Sequence, residues 1–180
     1  MFLTAVGAIL AAVFASKSAK ETAKTVKAQV IMQLTGAYSS EEMQVGMNEI
    51  RRFKEKHKEG FADKYQELLS ARMAGKPLNC SDSECIDHLD KARRRFSHHF
   101  HNIRFLLDTE VVEEKLVKKI VECGQVQFLL YTVQPLEKAH SRGMGLKFDP
   151  RTFDRFKDIF PECITRTQSG EQEAVTKAEA

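Results

Sequence analysis

Tryptophan is absent from the 180 residues, and turn formers are scarce, with 9 glycines and 4 prolines. A fold of short strands and tight turns needs more such punctuation, so the shortage favours long helices. Charge of one sign is missing too. The 28 basic and 25 acidic residues leave a formal net charge of +3, too weak a bias to pull on nucleic acid at long range. Cysteine is sparse: Cys80, Cys85, Cys123 and Cys163 do not make the dense framework of a disulfide-stapled small domain. A chain of this length has apolar residues enough for a core of its own. The four thiols are therefore read as mostly reduced, with a Cys80–Cys85 bridge left open if that loop faces an oxidising compartment.

Long hydrophobic runs are also few, and one stands out. MFLTAVGAILAAVFAS, residues 1–16, carries no charged side chain, and Lys17, Lys20, Lys24 and Lys27 follow it. A spanning helix takes about 17–25 apolar residues, so the run is at the short end. Ser18 and Ala19 extend it, and Lys17 can snorkel to the interface. A signal peptide would place Val13 and Ala15 before a cut at Ser16, but the basic region that should precede the run is lacking. A soluble amphipathic helix would need a polar face that the run does not offer. The expectation is a single-pass membrane anchor over residues 2–19, in contact with lipid. Basic residues just past a span stay on the cytoplasmic side, which puts the N-terminus outside and the C-terminal domain in the cytoplasm.

Beyond the lysines the apolar residues recur at helical spacing. Ala19, Ala23, Val26, Val30, Leu34 and Ala37 continue the first helix to about Gly36, a candidate C-cap. Ser39 with Glu42 has the pattern of a capping box, opening a helix whose stripe is Met43, Met47, Ile50 and Phe53. Gly60 interrupts before Phe61, Tyr65, Leu68 and Leu69, and MAGKPLNCSDSE reads as a loop. Ile86, Leu89, Arg93, Phe96, Phe100, Ile103 and Leu107 mark the next helix. Asp108 or Thr109 caps another, with Val112, Leu116, Ile120, Cys123, Val126 or Gln127, Leu130 and Val133 on its face, until Pro135 bends or ends it. Asp149-Pro150 starts a short helix that Pro161 stops. The expected fold class is all-α: an N-terminal transmembrane helix continuing into an antiparallel bundle of about four helices. The anchor takes residues 1–19, the bundle 20–161, and a disordered tail 162–180.

The densest chemistry lies in RRRFSHHFHNIR, residues 93–104. On a helical wheel Phe96, Phe100, Ile103 and Leu107 share one face, with His99 on its flank. Arg93 falls inside the apolar stripe and needs an acidic partner, for which Asp87, Asp90 and Glu114 are local candidates. His98 and His101 lie on the polar side, three residues apart, where they are neighbours. Two ligands do not make a metal site, and no HExxH or Cys-x2-Cys pattern supplies the others. Cys80, Cys85 and His88 form a Cys-x4-Cys-x2-His run, again short of a fourth ligand. No catalytic residue, cofactor or metal is assigned from this pattern. The basic residues do not interleave with aromatics on a shared surface, which argues against nucleic acid.

Two segments carry a resemblance: QLTGAYSSEEMQVGMNEIRRFKEK, residues 33–56, and DKARRRFSHHFHNIRFLLDTEVVEEKLVKKI, residues 90–120. With the N-terminal run, this layout resembles the DUF4760-like family of bacterial membrane-anchored helical proteins. The likeness covers residues 1 to about 140 and implies a membrane-tethered helical protein with no catalytic residues handed over. The functional expectation is a protein-interaction or scaffolding module that binds a protein partner or itself. The alternative is a metal-dependent or His-based enzyme using His98 and His101 with a carboxylate such as Glu42, Asp87 or Asp108.

Overall fold

The computed structural model describes residues 2–77 and 80–164; within its helices, the side chains at 2–17, 19, 20, 23 and 80–85 lie outside the description. The described residues are mostly helical, with no strand among them. In order come α1 (Phe2–Ser39), α2 (Glu41–His57), a 3₁₀ turn (Lys58–Gly60) and α3 (Phe61–Met73). Then follow α4 (Cys80–Asp108), α5 (Glu114–Ile120), α6 (Cys123–Phe128), a π-helical turn (Leu129–Val133), α7 (Gln134–Gly143) and α8 (Arg151–Ile159). The chain divides into two compact units, one up to Ala37 and one from Tyr38 onward.

The first unit is the body of α1. Among the described residues no helix is long and apolar enough to cross a membrane. The spanning helix expected over residues 2–19 is thus not found among them, and nearly all of its side chains fall outside the description. The helix also does not stop at Gly36 but runs to Ser39. Ser40, not Ser39, caps α2, its Oγ accepting from the Met43 backbone N–H at 3.3 Å.

In the second unit α4 is the central strut, packed against α2, α3, the π turn and α8. Its stripe is buried as the spacing predicts: Ile86, Leu89, Phe96, Phe100, Ile103 and Leu107 all lie in the core. Phe96 meets Phe128 edge-on at 4.8 Å between ring centroids, and Phe100 meets Phe156 at 4.9 Å. Met43, Met47, Ile50 and Phe53 bury the matching face of α2. The two helices cross closely at Gly46, where an added Cβ would stand 3.0 Å from that of Ala92.

The segment after α4 departs from the expected single helix. Neither Asp108 nor Thr109 caps it, because α4 runs through Asp108 and Glu110 turns with a φ of 57°. Glu113 stands at the N-cap of α5, and the chain opens again at Val121. Glu122 and Gln125 then form a reciprocal capping box that restarts the helix. The break re-phases the buried face: Val117 and Val121 are core, while Leu116 and Ile120 are only half-buried. Pro135 does not end the helix either. The turn before it widens, with Gln134 N–H bonding to Leu129 O. Pro135 has no N–H to donate to the turn before it, and a side chain from α2 reaches that turn. The Lys54 ammonium donates to the Tyr131 carbonyl and to Thr132 Oγ1, both at 3.1 Å.

The thiols are not all reduced. Cys123 and Cys163 form a disulfide with Cα atoms 5.1 Å apart, tying the start of α6 to the segment after α8. Cys163 is fully buried, and its carbonyl accepts from Gln127 Nε2 at 2.9 Å. The fold thus includes residues of the expected tail as far as Ile164, and positions 165–180 lie outside the described residues. A Cys80–Cys85 bridge also falls outside the described side chains.

Phe100 touches Phe96 and Phe156 and has no exposed surface. Phe100→Ala is expected to destabilise the protein by about 3–5 kcal/mol in urea unfolding. A midpoint indistinguishable from wild type would mean that this face of α4 is not core.

Candidate functional site

The site begins with a charge that the core has to accommodate. Arg93 is 3% exposed, and a guanidinium that deep requires partners on all sides. Its Nη2 donates to Asp90 Oδ1 at 2.8 Å and its Nε to the Tyr65 hydroxyl at 3.0 Å. The Tyr65 hydroxyl in turn donates to the same Asp90 oxygen at 2.6 Å. On the other side Arg93 Nη1 closes on Glu137 of α7, which also accepts from Ser97. Of the sequence candidates only Asp90 is a partner: Asp87 pairs with Arg72, and Glu114 with Lys118 and Arg155. Glu137, the partner on a neighbouring helix, was not legible because it lies far along the chain.

These contacts set the ionisation of the network. Burial pushes the Asp90 carboxyl up, but the hydrogen bonds from Tyr65 and Arg93 and the Arg93 charge outweigh it, so the carboxyl is held below its usual range. Burial pushes the Tyr65 hydroxyl well above its usual value. His140 of α7 stands 3.9 Å from Asp90 and is pushed down, chiefly by burial and then by the Arg93 charge.

Above the network lies an open cleft of about 500 Å³. α4 contributes Arg94, Ser97, His98 and His101, α7 contributes Glu137 and His140, and Asp149 and Thr152 close the far side. His98 and His101 are exposed, as their polar-face positions predict, and His101 Nδ1 stands 3.5 Å from Thr152 Oγ1. Asp149 is gripped by Arg151 through side chain and backbone, which lowers its carboxyl to about 2. None of the carboxylates named for a His-based enzyme lines this cleft. Glu42 pairs with Arg95, Asp87 with Arg72, and Asp108 with Arg104. The acids that do line it, Glu137 and Asp149, are each held by an arginine.

His88 lines a different groove, between α2 and α4, with Nδ1 3.7 Å from Glu49. Cys80 and Cys85 stand in the first turns of α4, and their side chains lie outside the described residues. Among the described residues no group of three or more His, Cys, Asp or Glu side chains is placed to hold a metal ion. No family model, curated protein or solved structure matches this chain.

His99, on the flank of the apolar stripe, is buried against Tyr38 at 5.5 Å and Phe100 at 5.4 Å between ring centroids. Burial pushes its imidazole from the ordinary 6.5 down to about 4. Between those values the unfolded chain binds a proton that the folded chain refuses, so stability falls as pH drops from about 6.5 toward 4. The full effect is roughly 3 kcal/mol. His99→Gln should flatten this part of the stability profile, read as urea midpoints between pH 7.5 and 4.5. A variant with the wild-type slope would place the titration elsewhere.

Proposed function

We propose that this chain is a membrane-tethered helical module that acts by binding a protein partner or a second copy of itself. The observation that carries the reading is α1 itself, whose described stretch carries large apolar side chains that are exposed. Val26 is 46% and Met32 66% exposed, on a long helix that forms a unit of its own. A helix draws most of its stability from packing rather than from propensity, and burial of these side chains against another helix would supply it. The tether is supported by the charge-free run over residues 1–16 and the four lysines behind it. The resemblance to the DUF4760-like family points the same way.

The reading sets the folded unit on the oxidising side of the membrane. The Cys123–Cys163 bond supports this, because thiols that face the cytosol are held reduced. It departs from the cytoplasmic side that the lysines favour. Flanking charge is a bias on how a span inserts, whereas the disulfide is part of the folded unit itself. Closing a loop with a sequence separation of 40 contributes about 4 kcal/mol by chain entropy.

Two measurements test the proposal. A photo-reactive side chain at Val26 in membranes should give one discrete cross-linked species, either a dimer or a complex of constant mass. Its absence, with the protein extracted by a carbonate wash, would sink both halves of the reading. Non-reducing mass analysis of protein trapped with alkylating agent in intact cells should find Cys123 and Cys163 joined. Finding both alkylated would return the folded unit to the cytoplasmic side.

A further inference from the structure

We propose that the cleft between α4, α7 and α8 binds the phosphate group of a small organic phosphate ester. The inference goes beyond membrane tethering and stands independently of it.

The first support is the supply of donors. Arg94, His98 and His101 follow one another at spacings of four and three, so they share one side of α4. Arg94 bonds Asp90 through Nη2 alone among its nitrogens, at 3.1 Å, and its side chain is 62% exposed. Its remaining N–H groups keep the planar fork that matches two phosphate oxygens. His140 approaches from α7 and the Thr152 hydroxyl from α8. Donors therefore meet from three elements, which suits a tetrahedral oxyanion better than a flat carboxylate.

The second support is that the acids of the cleft are already neutralised. Glu137 accepts from Arg93 and Ser97, and Asp149 is held by Arg151 Nη2 at 2.7 Å and Nε at 3.0 Å. Neither is an uncompensated charge facing the cavity. Its volume of about 500 Å³ is larger than a bare phosphate fills, and Leu129 and Phe153 supply apolar lining for the organic part.

The test uses the full chain in a phosphate-free detergent, with binding measured by calorimetry for three probes: inorganic phosphate, phenyl phosphate and dihexanoyl phosphatidate. Phenyl phosphate is expected to bind with Kd near or below about 1 mM, and more tightly than inorganic phosphate. Binding confined to the phosphatidate would identify a lipid headgroup as the source of the same chemistry. Arg94→Gln should weaken binding roughly tenfold and His98→Gln several-fold. Both side chains are exposed, so neither change threatens the fold. Opposite signs are expected at the far side: Arg151→Gln, which releases Asp149, should weaken binding, and Asp149→Asn should preserve or strengthen it. No saturable binding of any probe, or affinity unchanged in Arg94→Gln and His98→Gln, would overturn the proposal.

Discussion

A buried cation organises the folded unit. Arg93 sits in the middle of the apolar stripe of α4, and its three partners lie on three helices: Asp90 on α4, Tyr65 on α3 and Glu137 on α7. Desolvating a guanidinium costs several kcal/mol, and stripping one partner from such a network costs about 3–5 kcal/mol. Apolar packing alone tolerates sliding and rotation of helices by small amounts. Bonds of fixed length to Arg93 do not, so they set the rotation of α3 and the height of α7 against α4. Stability alone would be served as well by a well-packed apolar side chain. The charge contributes specificity of arrangement.

A second polar contact does similar work farther along. Pro135 would break a regular helix between α6 and α7, because it lacks a donor and crowds the preceding turn. The π-helical turn over Leu129–Val133 makes room for the ring, and Lys54 of α2 donates to the Tyr131 carbonyl within that turn. Burial lowers the Lys54 ammonium below its usual value, so this contact has an electrostatic cost. It yields a continuous path from α6 through the π turn into α7, and that path delivers Glu137 to Arg93. The position of the acid therefore depends on the accommodation of the proline.

How much of this could be read from the sequence follows from the range of each interaction. The core of α4 was legible because the helix is 29 residues long and unbroken, so its period repeats many times. The embedded Arg93 was legible as an exception within that period. The break at Val121 was not, since neither Gly nor Pro marks it. Its signal was Glu122 with Gln125, a capping box whose first residue is a rare choice for that position. Ser40 was missed in favour of Ser39 because adjacent serines offer equivalent caps until the helix phase is known. The Cys123–Cys163 pairing and the Arg93–Glu137 pairing join residues about 40 apart, where spacing carries no information. The same holds for the cleft: His98 and His101 were visible as neighbours, but His140, Asp149 and Thr152 join them only in the folded chain.

The character of the cleft is a consequence of the core beneath it. Asp90 stands 3.9 Å from His140, and Glu137 lines the cleft beside the histidines; on an open surface these acids would draw the imidazoles into local pairs. Arg93 reaches both from below, and Tyr65 and Ser97 add donors to the same oxygens. Their charge is thereby turned inward. His140, 3.9 Å from Asp90, feels the Arg93 charge as well and is held down, so a neutral imidazole faces the opening rather than an ion pair. The buried cation that fixes three helices thus also decides which polar groups remain available at the surface. Arg94, one residue on, shares Asp90 with it through a single nitrogen and keeps the rest of its donors outside.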